Sequence, residues 1–144
     1  MKIVVTGAAG LLGYHAAVRL HAANCAAGFR GDPEPYELVR LGRGAFADDA
    51  QLDAAVEGTD AVLHFAGINR ASEKELARGN PDIATRLVAA IERTGAKPHI
   101  VYANSTHAAN DTVYGKSKRI AGEILAGVGI IDEFENTIYA SFTT

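Results

Sequence analysis

The 144-residue sequence contains a single cysteine, Cys25, so no disulfide can close within the chain and a reducing, cytoplasmic setting is expected. Cys25 reads as a buried or bystander thiol. No apolar run reaches membrane-spanning length. The opening MKIVVTG passes straight into a strand pattern, without the charged start and long apolar stretch of a signal peptide. A basic excess is also missing: 14 Lys and Arg face 17 Asp and Glu, a formal net charge of -3 that points to neither a nucleic-acid nor a membrane partner. Internal repeats are absent, and the alanine-rich HAANCAAG is the only stretch of low complexity. A domain of this size buries roughly 68–70% of its unfolded surface, enough for a core without staples. One globular domain over residues 1–144 is therefore expected.

Short apolar runs alternate with helical patterns, which predicts βα units and a parallel sheet. Strands are expected at Lys2–Gly7, Glu37–Leu41, Ala61–Gly67, His99–Asn104 and Asn136–Phe142. Several are continuously apolar, as strands buried on both faces are. Helices are expected at Leu11–Ala23, Asp48–Glu57, Pro81–Thr94 and Val113–Leu125. Asp48 serves as an N-cap, Gly58 and Gly95 as stops, and Asn80-Pro81 as the start of the third helix. GFRGDPEPYE, Gly28–Glu37, reads as the one clear loop.

The stretch TGAAGLLG puts Gly7, Gly10 and Gly13 directly after the first strand and at the mouth of the first helix. In a dinucleotide fold Gly7 permits the tight turn, Gly10 lets the backbone approach a pyrophosphate, and Gly13 lets helix and strand pack closely. The helix N-terminus would offer free N–H groups and the positive end of its dipole to the anion.

Tyr114 and Lys118 are four residues apart, so a helix presents both on one face. They read either as an aromatic ring leaning on an aliphatic stem, or as a proton donor beside a permanent cation. A free phenol titrates at about 10, so use as a base near neutral pH needs about 4 kcal/mol of bias toward phenolate. A neighbouring cation such as Lys118 would favour it by Coulomb attraction in a partly dry cleft, although one cation rarely supplies the whole bias. His64 and His107 lack a second ligand at metal-binding spacing and read as a packed strand histidine and a loop histidine. Lys116 reads as solvated, and Arg70 as a surface or substrate-side residue.

Together these stretches resemble the extended short-chain dehydrogenase/reductases, the NAD(P)-dependent epimerase and dehydratase family. Gly7-x-x-Gly10-x-x-Gly13, HFAG at His64–Gly67, the helix GNPDIATRLVAAIERTG leading to HIVYANS, and Tyr114-x-x-x-Lys118 follow in the family's order. HFAGINR and the short interval from Ser105 to Tyr114 look most like the capsular-polysaccharide reductase branch. The resemblance implies a Rossmann-type, doubly wound parallel sheet in three α/β/α layers and an oxidoreductase or epimerase acting on a nucleotide sugar. It implies catalytic roles for Tyr114, Lys118 and Ser105, with Ser105 steadying the substrate oxygen. It implies cofactor contacts from Gly7, Gly10, Leu11, Leu12, Gly13, Arg43, Phe65, Ala66, Gly67, Asn80, Ala103, Tyr114 and Lys118, and no metal. Asn80 would fix the cofactor or the proton path; the plain alternative is a helix cap.

Relatives that prefer NAD end the second strand with an acid that takes the ribose 2′-hydroxyl. Here LGRG puts Gly42 at that place and Arg43 beside it, which favours NADP. Arg40 would face a core or a neighbouring strand. Gly44–Asp48 is too short for a further helix and strand, so five strands in the order 2-1-3-4-5 are expected. Ala45 stands where the family often places an adenine-binding aspartate, Phe142 where many members carry arginine. The segments of the family's substrate lobe are missing, so the resemblance implies a cofactor-binding half. A binding module without turnover, a partner subunit or a folded remnant are the alternatives. A missing lobe would bare apolar surface, and self-association into a homo-oligomer is expected.

Overall fold

The computed structural model describes residues 1–129 and 131–136. Strands β1 (Lys2–Thr6), β2 (Glu37–Leu41), β3 (Ala61–His64), β4 (His99–Ser105) and β5 (Ile131–Asn136) form one sheet in the order β2-β1-β3-β4-β5. Every neighbouring pair is parallel. Helices α1 (Leu11–Arg30), α2 (Asp49–Val56), α3 (Glu73–Thr94) and α4 (Val113–Ala126) supply the crossovers. The chain runs from β1 outward to β2, then returns past β1 to β3, β4 and β5. Right-handed crossovers then put α1 on one face and α2, α3 and α4 on the other. This is the five-strand, three-layer arrangement that the sequence predicts.

The main core lies between the sheet and those three helices. Val4, Val62, Ile100 and Tyr102 meet Leu52 and Val56 of α2, Leu87 and Ile91 of α3, and Ala121 and Leu125 of α4. Each large apolar side chain buried there contributes roughly 1.5–3 kcal/mol. On the other face, α1 buries only small or polar residues, Gly13, Ala17, Asn24 and Ala27. Asn24 ties the helix to the chain before β2, donating to Tyr36 O at 2.7 Å and accepting from Tyr36 N at 3.0 Å.

Several boundaries differ from expectation. Helix α1 continues through Gly28 and Phe29 to Arg30, so the loop before β2 is shorter than Gly28–Glu37. Gly31, at φ +77°, ends that helix, because alanine-rich sequence propagates a helix until a left-handed residue stops it. Helix α3 begins eight residues before Pro81. Ser72 Oγ accepts from Glu75 N while the Glu75 carboxylate accepts from Ser72 N, a capping box that sets the start and leaves Pro81 inside the helix. Asn80-Pro81 is therefore not the helix start, even though Pro81 cannot donate the bond to the carbonyl four residues back.

Strand β3 stops at His64, and the FAG that follows leaves the sheet to line a cleft. The fifth strand pairs with β4 at Ile131–Asn136, not at Asn136–Phe142; residues 137–142 lie outside the described residues. Arg40 is exposed on the edge strand β2, since no strand pairs beyond it. Asp48 caps α2 as expected, Gly95 ends α3 at φ +68°, and Gly58 follows α2 at φ +65°. Arg43–Ala47 forms a single 3-10 turn in place of a further helix and strand. Cys25 is exposed, with Sγ 3.4 Å from His21 Nε2.

Candidate active site

At the end of β1 the chain turns at Gly7, with φ +64°, a backbone shape that side chains disfavour. A Cβ there would also lie 2.7 Å from Ala66 N, and one on Gly13 would run into Gly7 O. Gly7 thus admits the chain that follows β3, and Gly13 lets α1 press onto the end of β1. Gly10 N donates to Gly7 O at 2.9 Å, and Gly10 is the N-cap of α1 without a side-chain cap or an acid in the first turn. The free N–H groups and positive dipole end of α1 are accordingly uncompensated by the helix's own side chains.

This turn borders a cleft of about 770 Å³ at the carboxyl ends of β1, β3 and β4, where the strand order reverses. Of the expected residues, Gly7, Gly10, Leu12, Arg43, Phe65, Ala66, Gly67, Asn80, Ala103, Ser105, Tyr114 and Lys118 line it. Leu11 and Gly13 do not: Leu11 is exposed, and Gly13 is buried under the turn. Among the described residues the charged side chains lining the cleft are Arg43, Arg70 and Lys118, all cationic, in a chain whose acids outnumber its bases.

Helix α4 carries Tyr114 and Lys118 into the cleft. Thr112 caps it, accepting from Gly115 N at 3.0 Å. A Cβ on Gly115 would collide with His107 O, so glycine lets the short 3-10 turn Thr106–Ala109 sit against the start of the helix. His107 then meets the Tyr114 ring edge-on, centroids 6.2 Å apart. Ser105 Oγ accepts from His107 N at 3.2 Å, which leaves its own proton to donate.

Lys118 is only 6% exposed, and Nζ donates to Ala103 O at 2.6 Å. Nζ also lies 4.2 Å from the centre of the Tyr102 ring. Burial pulls its pKa down to about 8, against the opposing pull of Glu133. Lys118, read from the sequence as a permanent cation, is therefore a cation at neutral pH that loses its proton more easily than an exposed lysine, because desolvation penalises the ammonium.

Asn80 sits two turns inside α3, 3% exposed, and caps no helix. It accepts from Ile68 N at 2.8 Å and donates to Ile68 O and to Ser117 Oγ, each at 3.0 Å. It therefore holds the wall after β3 to α3 and α4. His64 is buried between the rings of Phe46 and Tyr102, with Nδ1 2.9 Å from Thr6 Oγ1. Burial first, and the Lys118 charge second, push its pKa down to about 3, so it is neutral at ordinary pH. Thr6 Oγ1 also accepts from Ala66 N at 3.1 Å, tying the glycine turn to the chain after β3.

Tyr102, Ser117 and Thr6 are the site-supporting residues that sequence reading missed. Their roles depend on contacts 37 or more residues away for Ser117 and 58 or more for Thr6, which no local pattern reveals. His64 and His107 stand as read, a packed strand histidine and a histidine in the connection after β4. Lys116 is exposed and pairs with Asp111 at 2.7 Å.

The fold and cleft define a class, the doubly wound dinucleotide-binding domain with its ligand crevice at the strand-order switch. The match of residues 3–128 to the family model described as NAD dependent epimerase/dehydratase family is more specific. The chain belongs to that family. A curated relative, UDP-2-acetamido-2,6-beta-L-arabino-hexul-4-ose reductase of Pseudomonas aeruginosa, is 30% identical over 130 residues, which is 90% of this chain and 32% of the relative. The chain thus spans about a third of that relative's length. Among solved structures, the capsular polysaccharide assembling protein CapF of Staphylococcus aureus matches with TM-score 0.64 and 21% identity, covering 94% of this chain and 34% of that one. UDP-N-acetylglucosamine 4-epimerase of Bacillus cereus matches with TM-score 0.70 and 20% identity, covering 94% and 53%. No helix among the described residues is long and apolar enough to cross a membrane, and no group of three or more potential metal ligands occurs among them.

Proposed function

We propose that this chain binds a nicotinamide dinucleotide, NADP in preference to NAD, and moves the proton in an oxidoreductase or epimerase reaction on a nucleotide sugar. The observation that carries this reading is the cleft whose charged lining is entirely cationic, opening beside a glycine turn made for close backbone approach. Such a site suits a pyrophosphate and disfavours a cationic ligand. Arg43, the first residue after Gly42 at the end of β2, is the group that would take a 2′-phosphate.

When bound, the nicotinamide supplies a two-electron donor or acceptor. Gly7 and Gly10 would hold the pyrophosphate, while Phe65, Ala66 and Gly67 would line the adenosine side. Tyr114 would give a proton to the substrate oxygen or take one from it. Ser105, whose oxygen already accepts from His107 N, would donate its proton to the same substrate oxygen and limit its charge. Lys118, titrating near 8, would favour phenolate on Tyr114 while charged.

In this reading residues 1–144 are the dinucleotide-binding half of a longer architecture. A second reading is a module that holds the dinucleotide without turnover. Self-association accompanies either. Leu11, Tyr14, Val18 and Phe29 share an exposed face of α1, Phe29 at 95%, and sedimentation at several concentrations checks it.

Fluorescence titration with NADPH and NADH tests the binding, and loss of both signals sinks the proposal. Exchange of label between dinucleotide and a panel of UDP- and dTDP-sugars separates enzyme from module. Tyr114→Phe is the control: activity that survives it removes the proton-transfer role.

A further inference from the structure

Tyr102 touches Lys118 at both ends. Its hydroxyl donates to the Lys118 backbone carbonyl at 3.2 Å, and its ring centre lies 4.2 Å from Nζ. Strand alternation explains the placement, because Ile100 and Tyr102 of β4 point to the face that α4 covers. The ammonium also meets a carbonyl and approaches a glycine. Nζ donates to Ala103 O at 2.6 Å, and a Cβ on Gly67 would stand 4.0 Å from it.

The ring that does this is itself fixed. Tyr102 is 1% exposed and stacks on His64 with centroids 5.7 Å apart and planes at 30°. His64 is backed by Phe46 at 6.4 Å and held at Nδ1 by Thr6. Phe46 belongs to the 3-10 turn that starts at Arg43 and lines the same cleft. A lysine stem has four rotatable bonds and a strongly hydrated head, so a nearly dry site leaves its direction undetermined unless something attracts the head. An aromatic face attracts cations by its quadrupole, and more strongly when water is excluded.

We propose that Tyr102 is a positioning residue: its ring face holds the Lys118 ammonium against the Ala103 carbonyl, aimed at the cleft wall by Gly67, before any ligand arrives. The proposal rests on the reading of Lys118 as part of the working site, but its geometry belongs to the ligand-free chain. The titratable groups on the elements packed here are Tyr102 of β4, against Nζ, His64 of β3 and Glu133 of β5, which interact with its charge, and Tyr114 of α4, which lines the same cleft. His64 is neutral and Glu133 favours the cation, so the ring adds to the support of the charged form where burial opposes it.

The test is a pH titration of lysine ε-carbon NMR signals in the full chain without ligand, with Lys118 assigned by the signal lost in Lys118→Arg. Tyr102→Phe keeps the ring and leaves the Lys118 midpoint in place. Tyr102→Leu removes the ring from a site that stays dry, and the midpoint falls by roughly half a pH unit or more. Should the leucine variant fail to fold, Tyr102→Met serves in its place. A folded leucine or methionine variant that titrates like the wild type overturns the proposal, as does a phenylalanine variant that shifts as far as leucine. In a second readout, NADPH binds several-fold more weakly to the leucine variant and unchanged to the phenylalanine variant. If the wild type binds no NADPH, the dinucleotide reading falls and the lysine titration still decides the role of Tyr102.

Discussion

The side-chain amide of Asn80 pairs with both backbone groups of Ile68, accepting from its N–H at 2.8 Å and receiving no more than it returns, since Nδ2 donates to the carbonyl at 3.0 Å. A helix residue thus acts as a one-residue strand partner for the chain that leaves β3, and the cleft wall from Gly67 to Ala71 is pinned through it. Asn80→Leu strands both groups of Ile68 and loses the bond to Ser117. It is expected to cost at least about 2 kcal/mol in urea unfolding, and to weaken NADPH binding because the wall loosens.

Lys118 has a folded pKa of about 8 against an ordinary value of 10.5. Between those values the unfolded chain binds more protons than the folded one, so stability rises with pH across that window. Below about 8 the full cost of burying the ammonium applies. The interval corresponds to about 3 kcal/mol. Relative to Lys118→Met, which cannot titrate, the wild type should gain stability from pH 8 to 10.5 and show a constant difference from pH 6 to 7.5. Parallel curves across the upper window would refute the burial argument.

His64 titrates in the opposite part of the scale. Its folded pKa is pushed to about 3 from 6.5, chiefly by burial, so the stability of its neutral form is lost as pH falls from 6.5 toward 3. His64→Gln should flatten acid unfolding over that range, at the expense of stability at pH 7. Thermal melts at half-unit pH steps measure it.

Arg43 lines the cleft, and in the proposed reading it bears on cofactor choice alone. Arg43→Ala should weaken NADPH binding about tenfold, the scale of one charge-assisted contact, and leave NADH within about twofold. Equal loss for both dinucleotides would mean that Arg43 serves the shared pyrophosphate.

The glycines separate cleanly by position. Gly13→Ala puts a Cβ into Gly7 O, backbone against backbone with no flexible end to give way, and should cost several kcal/mol or prevent folding. Gly28→Ala, inside α1 with nothing within 4 Å of the added carbon, should stabilise by roughly 0.5–1 kcal/mol. Chemical denaturation of the two variants makes the comparison.

Local rules reached far in this chain. Parallel βα alternation and the glycine turn were legible because each depends on short-range periodicity or on glycine's freedom at one bend, while the 2-1-3-4-5 order came from the family resemblance and the shortness of Gly44–Asp48. Tyr114 and Lys118 were legible as a pair for the same reason, since i and i+4 on any helix share a face. Boundaries were less so. Pro81 suggested a helix start, but a Ser72–Glu75 capping box eight residues earlier set it. The proline-rich stretch before β2 suggested a loop from Gly28, but the helix ran to the first left-handed residue, Gly31.

By itself, then, the sequence determined the alternation of strands and helices and the glycine bend after β1, because backbone stereochemistry and the spacing of apolar residues act over a few positions; the strand order followed from the family resemblance. Only the tertiary structure decided the surroundings of these side chains: that Lys118 is buried and its pKa lowered, that the Tyr102 ring lies beside its ammonium, and that Asn80 serves a loop and not a helix end. Desolvation and partner choice are properties of side chains brought together from distant strands and helices, and they come into being only when those elements pack.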